Sequence, residues 1–537
     1  MSGGTVVVGS GASGVQFALT LLERGLPVTL VDVGHVRPEP VRPDLSLTGL
    51  KEGLDDPVSY FLGSGYEAVL FPGNADEYYG FPPNKDYVFR SVPQHRVRAS
   101  GFAPLVSFAQ GGLAEAWTGG SYPFNDGEMA DWPFGYDALA PHYGAVARRI
   151  GISGETDDLA RFMPVHAHLS APLRLDDHSA FLLQSYERAR GSLNGRLRAW
   201  MGRSRLATVR DDRPDGRRGC TYLGRCLWGC PTGSLWTPGL GLSECRTRQG
   251  FTYLPARFAS HFAVDSRRRI THLVAEPPGG GAAEEVPVDR LVLAAGTLPS
   301  ARIFLESVRR LDGKSPALAG LMDNRQILMP FVTTPLVGRA WNPDTYQYHQ
   351  LALGLEGDTP RDYVHGLVTT LKTALAHPIV QNVPLDLRSA LGVFKGAHAA
   401  LGLVNINFHD TRRDGNRVSL EPGDADGRRL LIEYAPETGE KERLGAACDR
   451  MRRILRALGG IVPPGMTHVR PMGASVHYAG LLPMTASGAA PLTSDAGCRS
   501  HDFENLWLAD GITFPFVPAK NLTFTLMANA TRIAAGF

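Results

Sequence analysis

The chain has 537 residues, 43% of them hydrophobic and 20% charged. Such a length exceeds one ordinary core and predicts two or more lobes of a soluble globular protein. Lys plus Arg number 55 and Asp plus Glu 53, a formal net charge of +2, which gives no electrostatic ground for nucleic acid or an anionic membrane as main partner.

Only Met1 to Gly4 precede the first apolar run, which leaves no room for a charged leader, a hydrophobic signal core and a cleavage site. No unbroken apolar stretch approaches the roughly 18 residues needed to span a bilayer. The 6 cysteines are sparse for a disulfide scaffold. A soluble cytoplasmic protein is the simplest reading, with oligomeric state left open.

Thr5 to Val8 read as a strand that runs into Gly9-Ser10-Gly11-Ala12-Ser13-Gly14. Val15, Leu19, Leu22 and Leu26 then recur on one helical face, and Val28 to Val31 read as a second strand. The length suits a βαβ crossover. A buried strand is predicted at Arg290 to Gly296 with a helix from about Ser300, and another strand at Asn505 to Gly511 with a helical tail from about Leu522 to Ala535. Between about 326 and 435 the stretches Tyr346 to Leu351 and Leu403 to His409 alternate polar and apolar residues. That pattern predicts an antiparallel sheet with one polar face, a wall able to meet a substrate. Pro277 to Gly281 reads as a turn between strands. The predicted class is α/β (α+β overall), a Rossmann-like lobe with a second, discontinuous lobe built on an antiparallel sheet. The first lobe is assigned 1–155, 205–325 and 466–537, the second 156–204 and 326–465.

Gly9, Gly11 and Gly14 fit G-x-G-x-x-G, and Asp32 closes the second strand eighteen residues after Gly14. Gly9 permits the tight turn, Gly11 lets backbone approach a pyrophosphate, and Gly14 allows close packing of helix on strand. The helix N-terminus, at Ala12, offers free N–H groups to phosphate, and Asp32 can accept from ribose hydroxyls. Strand, helix and acid in the right order separate this from a plain glycine turn. No second fingerprint follows, which argues against one chain binding both FAD and NAD(P)H.

Gln110-Gly111-Gly112 with Trp117-Thr118, then Trp132-Pro-Phe-Gly-Tyr136 and Leu139-Ala-Pro-His-Tyr143, resembles the glucose–methanol–choline (GMC) oxidoreductases. So do Ser475-Val-His477-Tyr478, Leu506-Trp-Leu-Ala-Asp510-Gly511 and Pro518-Ala-Lys-Asn521-Leu-Thr523. The likeness reaches both ends of the chain and leaves about 326 to 465 uncovered. It implies an FAD-dependent enzyme that takes hydride from a CH–OH group, with His477 as base and Asn521 holding the same hydroxyl. It also implies flavin contacts at Gly111, Gly112, Thr118, Ala295, Gly296, Asp510, Gly511 and Thr523. Within the family the chain looks nearer to the pyranose-oxidase-like and bacterial sugar-alcohol dehydrogenase branch. Fungal pyranose oxidase carries a flavin-linking histidine just before its Trp-Thr, where this sequence has Ala116, so the resemblance implies non-covalent FAD. It implies a small polar, sugar-like alcohol as substrate, with 6′-hydroxyl oxidation in aminoglycoside assembly as one option. An aminated substrate would call for pocket carboxylates, and Glu115 is a candidate. The electron acceptor is not specified.

Each residue also has a bland reading. Imidazole suits proton transfer near neutrality, yet most of the 16 histidines are structural. Asn521 could be an N-cap, and Asp510 a turn aspartate. Cys220-x5-Cys226-x3-Cys230 lacks C-x2-C and a nearby histidine, so packing is preferred to zinc or an iron–sulfur cluster and no metal is assigned. His349, Gln350, Asn407 and His409 are expected to face water. Val383 to Phe394 is expected to form an amphipathic helix packed on the core or a partner subunit. Rival functions are a flavin disulfide reductase or NAD-linked dehydrogenase, which lack their second motif here, a non-catalytic FAD-binding or electron-transfer protein, and a GMC enzyme for a non-carbohydrate alcohol.

Overall fold

The computed structural model describes residues 4–537 except 39–40, 43, 70–76, 78–79, 347, 374, 425 and 487. β1 (Gly4–Val8), α1 (Ala12–Glu23) and β2 (Val28–Val31) form the crossover unit, with β1 and β2 parallel from Thr5 against Val28 to Val8 against Val31. On the other side of β1 lies the strand Glu284–Leu293, and beyond it Leu506–Leu508, while Phe251–Leu254 flanks β2; all four pairings are parallel. Parallel sheets need cover on both faces. Val7 and Val292 point into a core shared with α1 and the helices Tyr136–Ile150 and Thr523–Ala535. Val6, Val8, Leu291 and Leu293 point the other way, onto the helix Thr297–Asp312. The strand expected from Arg290 begins six residues earlier because Glu284 to Pro287 pair antiparallel with Ile270–Glu276. The helix after it starts at Thr297 rather than Ser300.

A second, seven-stranded sheet is antiparallel. Ala199–Arg203, Leu351–Leu355, Val364–Thr370, Leu401–Phe408, Arg325–Thr333 and Gly460–Ile461 lie in that order, with His468–Val469 also on Arg325–Thr333. The two-residue alternation sorts its side chains. Ile327, Met329, Leu353, Val368, Val404 and Ile406 pack under the helices Asp177–Leu197 and Glu440–Ala457. Gln326, His365 and Asn407 occupy the opposite face, buried and hydrogen-bonded: Gln326 donates to Asn407 at 2.9 Å, and Asn407 donates to the His365 carbonyl at 3.2 Å.

Several expectations change here. The strand begins at Leu351, so His349 and Gln350 precede it, His409 follows another, and Gln347 is outside the described residues. His349, Gln350 and Asn407 do not face water, at 3%, 5% and 1% exposure. The amphipathic helix runs Leu387–Ala397, capped by Asp386, and buries Ala390 and Phe394 while Leu387 stays exposed. Residues 326–465 are also divided. Arg417–Leu420 and Leu430–Glu433 join a smaller sheet with Leu318–Ala319 and Val97–Ser100, and pack into the core around Thr297–Asp312. Their apolar sides find that core rather than the larger sheet.

The turn before the last helix packs against the antiparallel sheet. Ala519 packs with Tyr122, Ala352, Tyr363 and Leu367. Beside it the ammonium of Lys520, 0% exposed, donates to Glu128 at 2.7 Å and to the carbonyls of Phe162 at 2.7 Å and Pro123 at 3.0 Å. Burial pushes Lys520 down and Glu128 up, and the pairing opposes both shifts. Breaking such a pair from one side strands the other charge. Lys520→Met should therefore cost about 3–5 kcal/mol in denaturant unfolding, and adding Glu128→Gln should recover much of it. Equal stability of the single and double variants would refute this coupling.

Candidate active site

One cavity gathers most of the residues singled out in the sequence. Gly9, Gly11, Ala12, Asp32, Gly112, Ala295, Gly296, His477, Asp510, Gly511 and Thr523 all line it. Gly14 and Gly111 stand behind that lining, and Thr118 and Asn521 lie outside it. The backbone explains the glycine pattern. A Cβ at Gly14 would fall 1.9 Å from the Gly9 carbonyl oxygen, so any side chain there would force α1 off the strand. At Gly11 a Cβ would meet nothing nearer than the Gly111 oxygen at 4.0 Å, so this position is bare toward the cavity rather than packed. Gly11 is also the N-cap of α1 and places no side chain on the first-turn N–H groups, which have no acidic neighbour in that turn. These orphan donors and the helix dipole suit a phosphate.

Asp32 ends the cavity on the other side of the turn. It accepts from the Ser10 hydroxyl and, at 3.4 Å, from Tyr253, while Ser10 accepts from the Gly111 N–H at 2.8 Å. The serine therefore ties the Gly111-Gly112 turn to the acid. Burial pushes Asp32 up to about 7 against these hydrogen bonds. Asp510 accepts from Ser300 at 2.6 Å, Gly296 N–H at 3.0 Å and Ile512 N–H at 3.0 Å, and burial pushes it to about 6. It fastens the end of Leu506–Leu508 to the start of Thr297–Asp312, at the cavity edge.

His477 sits where the cavity meets the Pro518–Asn521 turn. Its Nδ1 lies 3.1 Å from Asn324 Oδ1, and its Nε2 lies 3.4 Å from Asn521 Nδ2. Burial first, and the Arg470 guanidinium second, push the imidazole down to about 4, so it is neutral at ordinary pH. Its loop is held by Asp323, whose carboxylate accepts from Gly473 N–H at 2.7 Å, His477 N–H at 2.9 Å and the Ser475 hydroxyl. Val476, a β-branched residue, sits at φ 58, a strained conformation that such a clamp can sustain. Asn521 is not an N-cap: the helix starts at Thr523 with Leu522 at the cap. Its Oδ1 is buried without a hydrogen-bond partner among the described residues.

One carboxylate departs from expectation. Glu115 does not offer its carboxylate to the cavity; Oε1 accepts from Gly239 N–H at 2.7 Å and Oε2 lies 3.4 Å from the Tyr87 hydroxyl. Thr118 contributes its carbonyl to the Tyr346 hydroxyl at 3.0 Å, behind the site. Asp323 and Asn324 escaped sequence reasoning because they form no motif; their only signal is adjacent polar residues entering a strand. Cys220, Cys226 and Cys230 are free thiols, with Cys230 Sγ 3.1 Å from Ser234 Oγ. Among the described residues no group of three His, Cys, Asp or Glu is arranged to hold a metal, and no helix is long and apolar enough to cross a membrane.

One cavity brings the glycine turn and the buried imidazole together. Residues 411–530 match the family model described as GMC oxidoreductase. Over 98% of its length the chain is 25% identical to paromamine 6′-oxidase of Streptomyces fradiae, covering 90% of that protein. Over 99% it is 23% identical to the fructose dehydrogenase large subunit of Gluconobacter japonicus, covering 97%. Among solved structures, pyridoxine 4-oxidase from Mesorbium loti superposes with a TM-score of 0.61 at 18% identity, covering 100% of this chain and 99% of that one. Formate oxidase does so at 0.61 and 12%, covering 99% and 97%. The chain is similar to GMC oxidoreductases, and these likenesses support an enzyme of the FAD type. The uncapped α1 terminus, the open space at Gly11 and the acid at Asp32 fit an FAD molecule.

The raised carboxyls carry a sign for stability. Asp32 at about 7, and Asp323 and Asp510 at about 6, exceed the ordinary 3.8, so the fold keeps protons that the unfolded chain has released. These carboxyls contribute stability that is lost as pH rises from about 4 to about 7, whereas the buried histidines His477, His349, His166 and His178, held down to about 4, contribute the opposite sign over the same range. The carboxyl contribution is therefore read by difference: the urea-midpoint gap between Asp510→Asn and wild type should shift in favour of the variant as pH rises from about 4 to about 6. A gap that does not change with pH would contradict it.

Proposed function

We propose that the chain oxidises an alcohol group of a sugar, glycoside or polyol, with His477 as base and FAD bound non-covalently. The observation that carries the reading is a single cavity running from the Gly9–Gly14 turn to a neutral imidazole. Bound FAD supplies the hydride acceptor. His477 Nε2 receives the hydroxyl proton, which a neutral imidazole can do and an imidazolium cannot. Asn521 Nδ2, 3.4 Å from that nitrogen, donates to the same oxygen and so turns the carbinol hydrogen toward the acceptor. Its unpartnered Oδ1 remains to accept from a substrate hydroxyl. The products are the carbonyl compound and reduced flavin.

Non-covalent binding is supported by Ala116, a buried side chain that cannot form a bond to flavin. The substrate class is supported by the two relatives named for paromamine and fructose. A hydroxymethyl group on an amino sugar is one substrate of this kind. Glu115 does not line this cavity, and its Oε1 accepts from Gly239 N–H.

Anaerobic titration of the yellow protein with sugars, aminoglycoside fragments, polyols and sterols tests the reading. Carbohydrates should bleach the flavin; bleaching by sterols alone, or by nothing, overturns it. His477→Ala should keep its flavin and slow bleaching by about 10²–10⁴-fold. With a pKa of about 4 on the waiting base, the wild-type rate should be flat above about pH 5 and fall below it. An acid limb centred near pH 7 would show that the base is charged in the resting site.

A further inference from the structure

An imidazole can act as a base at Nε2 only if its one proton resides on Nδ1, and nothing in an isolated ring enforces that. We infer that Asn324 is the positioning residue that fixes the tautomer and the orientation of His477. The inference rests on His477 being the base, and its test separates the two ideas.

The amide of Asn324 has one orientation that satisfies its surroundings. Its Nδ2 lies 3.5 Å from the Pro518 carbonyl oxygen and 3.4 Å from that of Lys520. Both are acceptors, so the NH2 end must face them. The other end, Oδ1, then faces His477 Nδ1 at 3.1 Å and can only accept. The ring must place its proton there and leave Nε2 with a lone pair. Asn521 Nδ2 at 3.4 Å is a donor matched to that lone pair. Asn324 is 1% exposed, so water does not compete for its amide. The same side chain that orients the base thus also touches the turn presenting Asn521. One amide holds the two catalytic groups in register.

The neighbouring charges do not perform this task. Asp323 accepts from the His477 backbone N–H, not from the ring. Asp410, which accepts from Asp323 N–H at 3.1 Å, lies behind it with Tyr434 and Arg413. Arg470 opposes protonation and is engaged by Glu77 at 2.6 Å and Gln326 at 2.8 Å. None of them contacts Nδ1 with an acceptor.

Removing the acceptor should let the ring take either tautomer and swing. For holoenzyme Asn324→Leu, anaerobic flavin reduction at saturating sugar should slow on the order of 10²-fold, with half-saturating concentration and flavin absorbance nearly unchanged. Asn324→Asp keeps an acceptor but makes it anionic. It should recover most of that rate and move the acid limb of the rate profile to higher pH, because an adjacent carboxylate favours the imidazolium. A packing role would lower stability in both variants and leave the acid limb in place. Should either variant fail to fold, 15N spectra of histidine-labelled wild-type holoenzyme, read against His477→Gln, report the tautomer directly: a protonated Nδ1 supports the inference and a protonated Nε2 overturns it. A wild-type rate in Asn324→Leu while His477→Ala is crippled overturns this inference alone. An unimpaired His477→Ala overturns the assignment of the base.

Discussion

The fully buried ammonium of Lys520 is the constraint on which the site depends. A charge in that position is tolerable only because Glu128 and the Phe162 and Pro123 carbonyls surround it. Those three partners lie in two segments distant from Lys520 in sequence, so satisfying one cation fixes the Pro518–Asn521 turn against the 123–128 segment and the loop near Phe162. Ala519 on one side packs into the apolar cluster beneath the antiparallel sheet. Asn521 on the other reaches His477. The placement of this turn is thus held by a buried charge as well as by apolar contact.

Burial then shapes the chemistry from the same location. Asp32, Asp323 and Asp510 are pushed toward the protonated form and His477 toward the neutral one. The partial positive charge at the uncapped α1 terminus suits a ligand that brings a pyrophosphate, and low polarity strengthens the attraction. At the other end the same lack of solvent keeps the imidazole ready to take a proton. One physical effect serves two ends of one cavity.

The N-terminal unit was legible in sequence because its demands are local. Strand, glycine turn, helix and acid follow one another, and each residue's reason lies within a short distance along the chain. The later parallel strands were legible too, since Leu291 and Leu506 lie in apolar runs with strand length, but their order in the sheet was not. The polar face of the second sheet was misread at His349, Gln350 and Asn407. Alternation tells which residues share a face, but not whether that face meets water or another lobe, and here it meets Tyr122 and the Lys520 turn. Glu115 was misread for a similar reason: a carboxylate beside a glycine turn can serve a ligand or a backbone N–H, and Gly239, 124 positions away, decides it. Asn324 had no sequence signature, because its role exists only after Pro518, Lys520 and His477 have been brought around it.

That dependence explains why the two groups proposed to react, His477 and Asn521, sit on irregular backbone. His477 follows a valine at φ 58, and Asn521 lies in a turn with its side chain free of the helix it precedes. Neither position would hold on local propensity, since a β-branched residue disfavours that region and a turn asparagine has many rotamers. Both are held by polar groups anchored at the start of a regular strand: Asp323 clamps the backbone of the histidine loop, and Asn324 bridges its ring to the turn. Arg325–Thr333 enters the sheet directly after this pair, so its rigidity passes to the site through two adjacent side chains. Loops can present reactive atoms at angles that helices and strands cannot. The strand end supplies the fixity that loops lack.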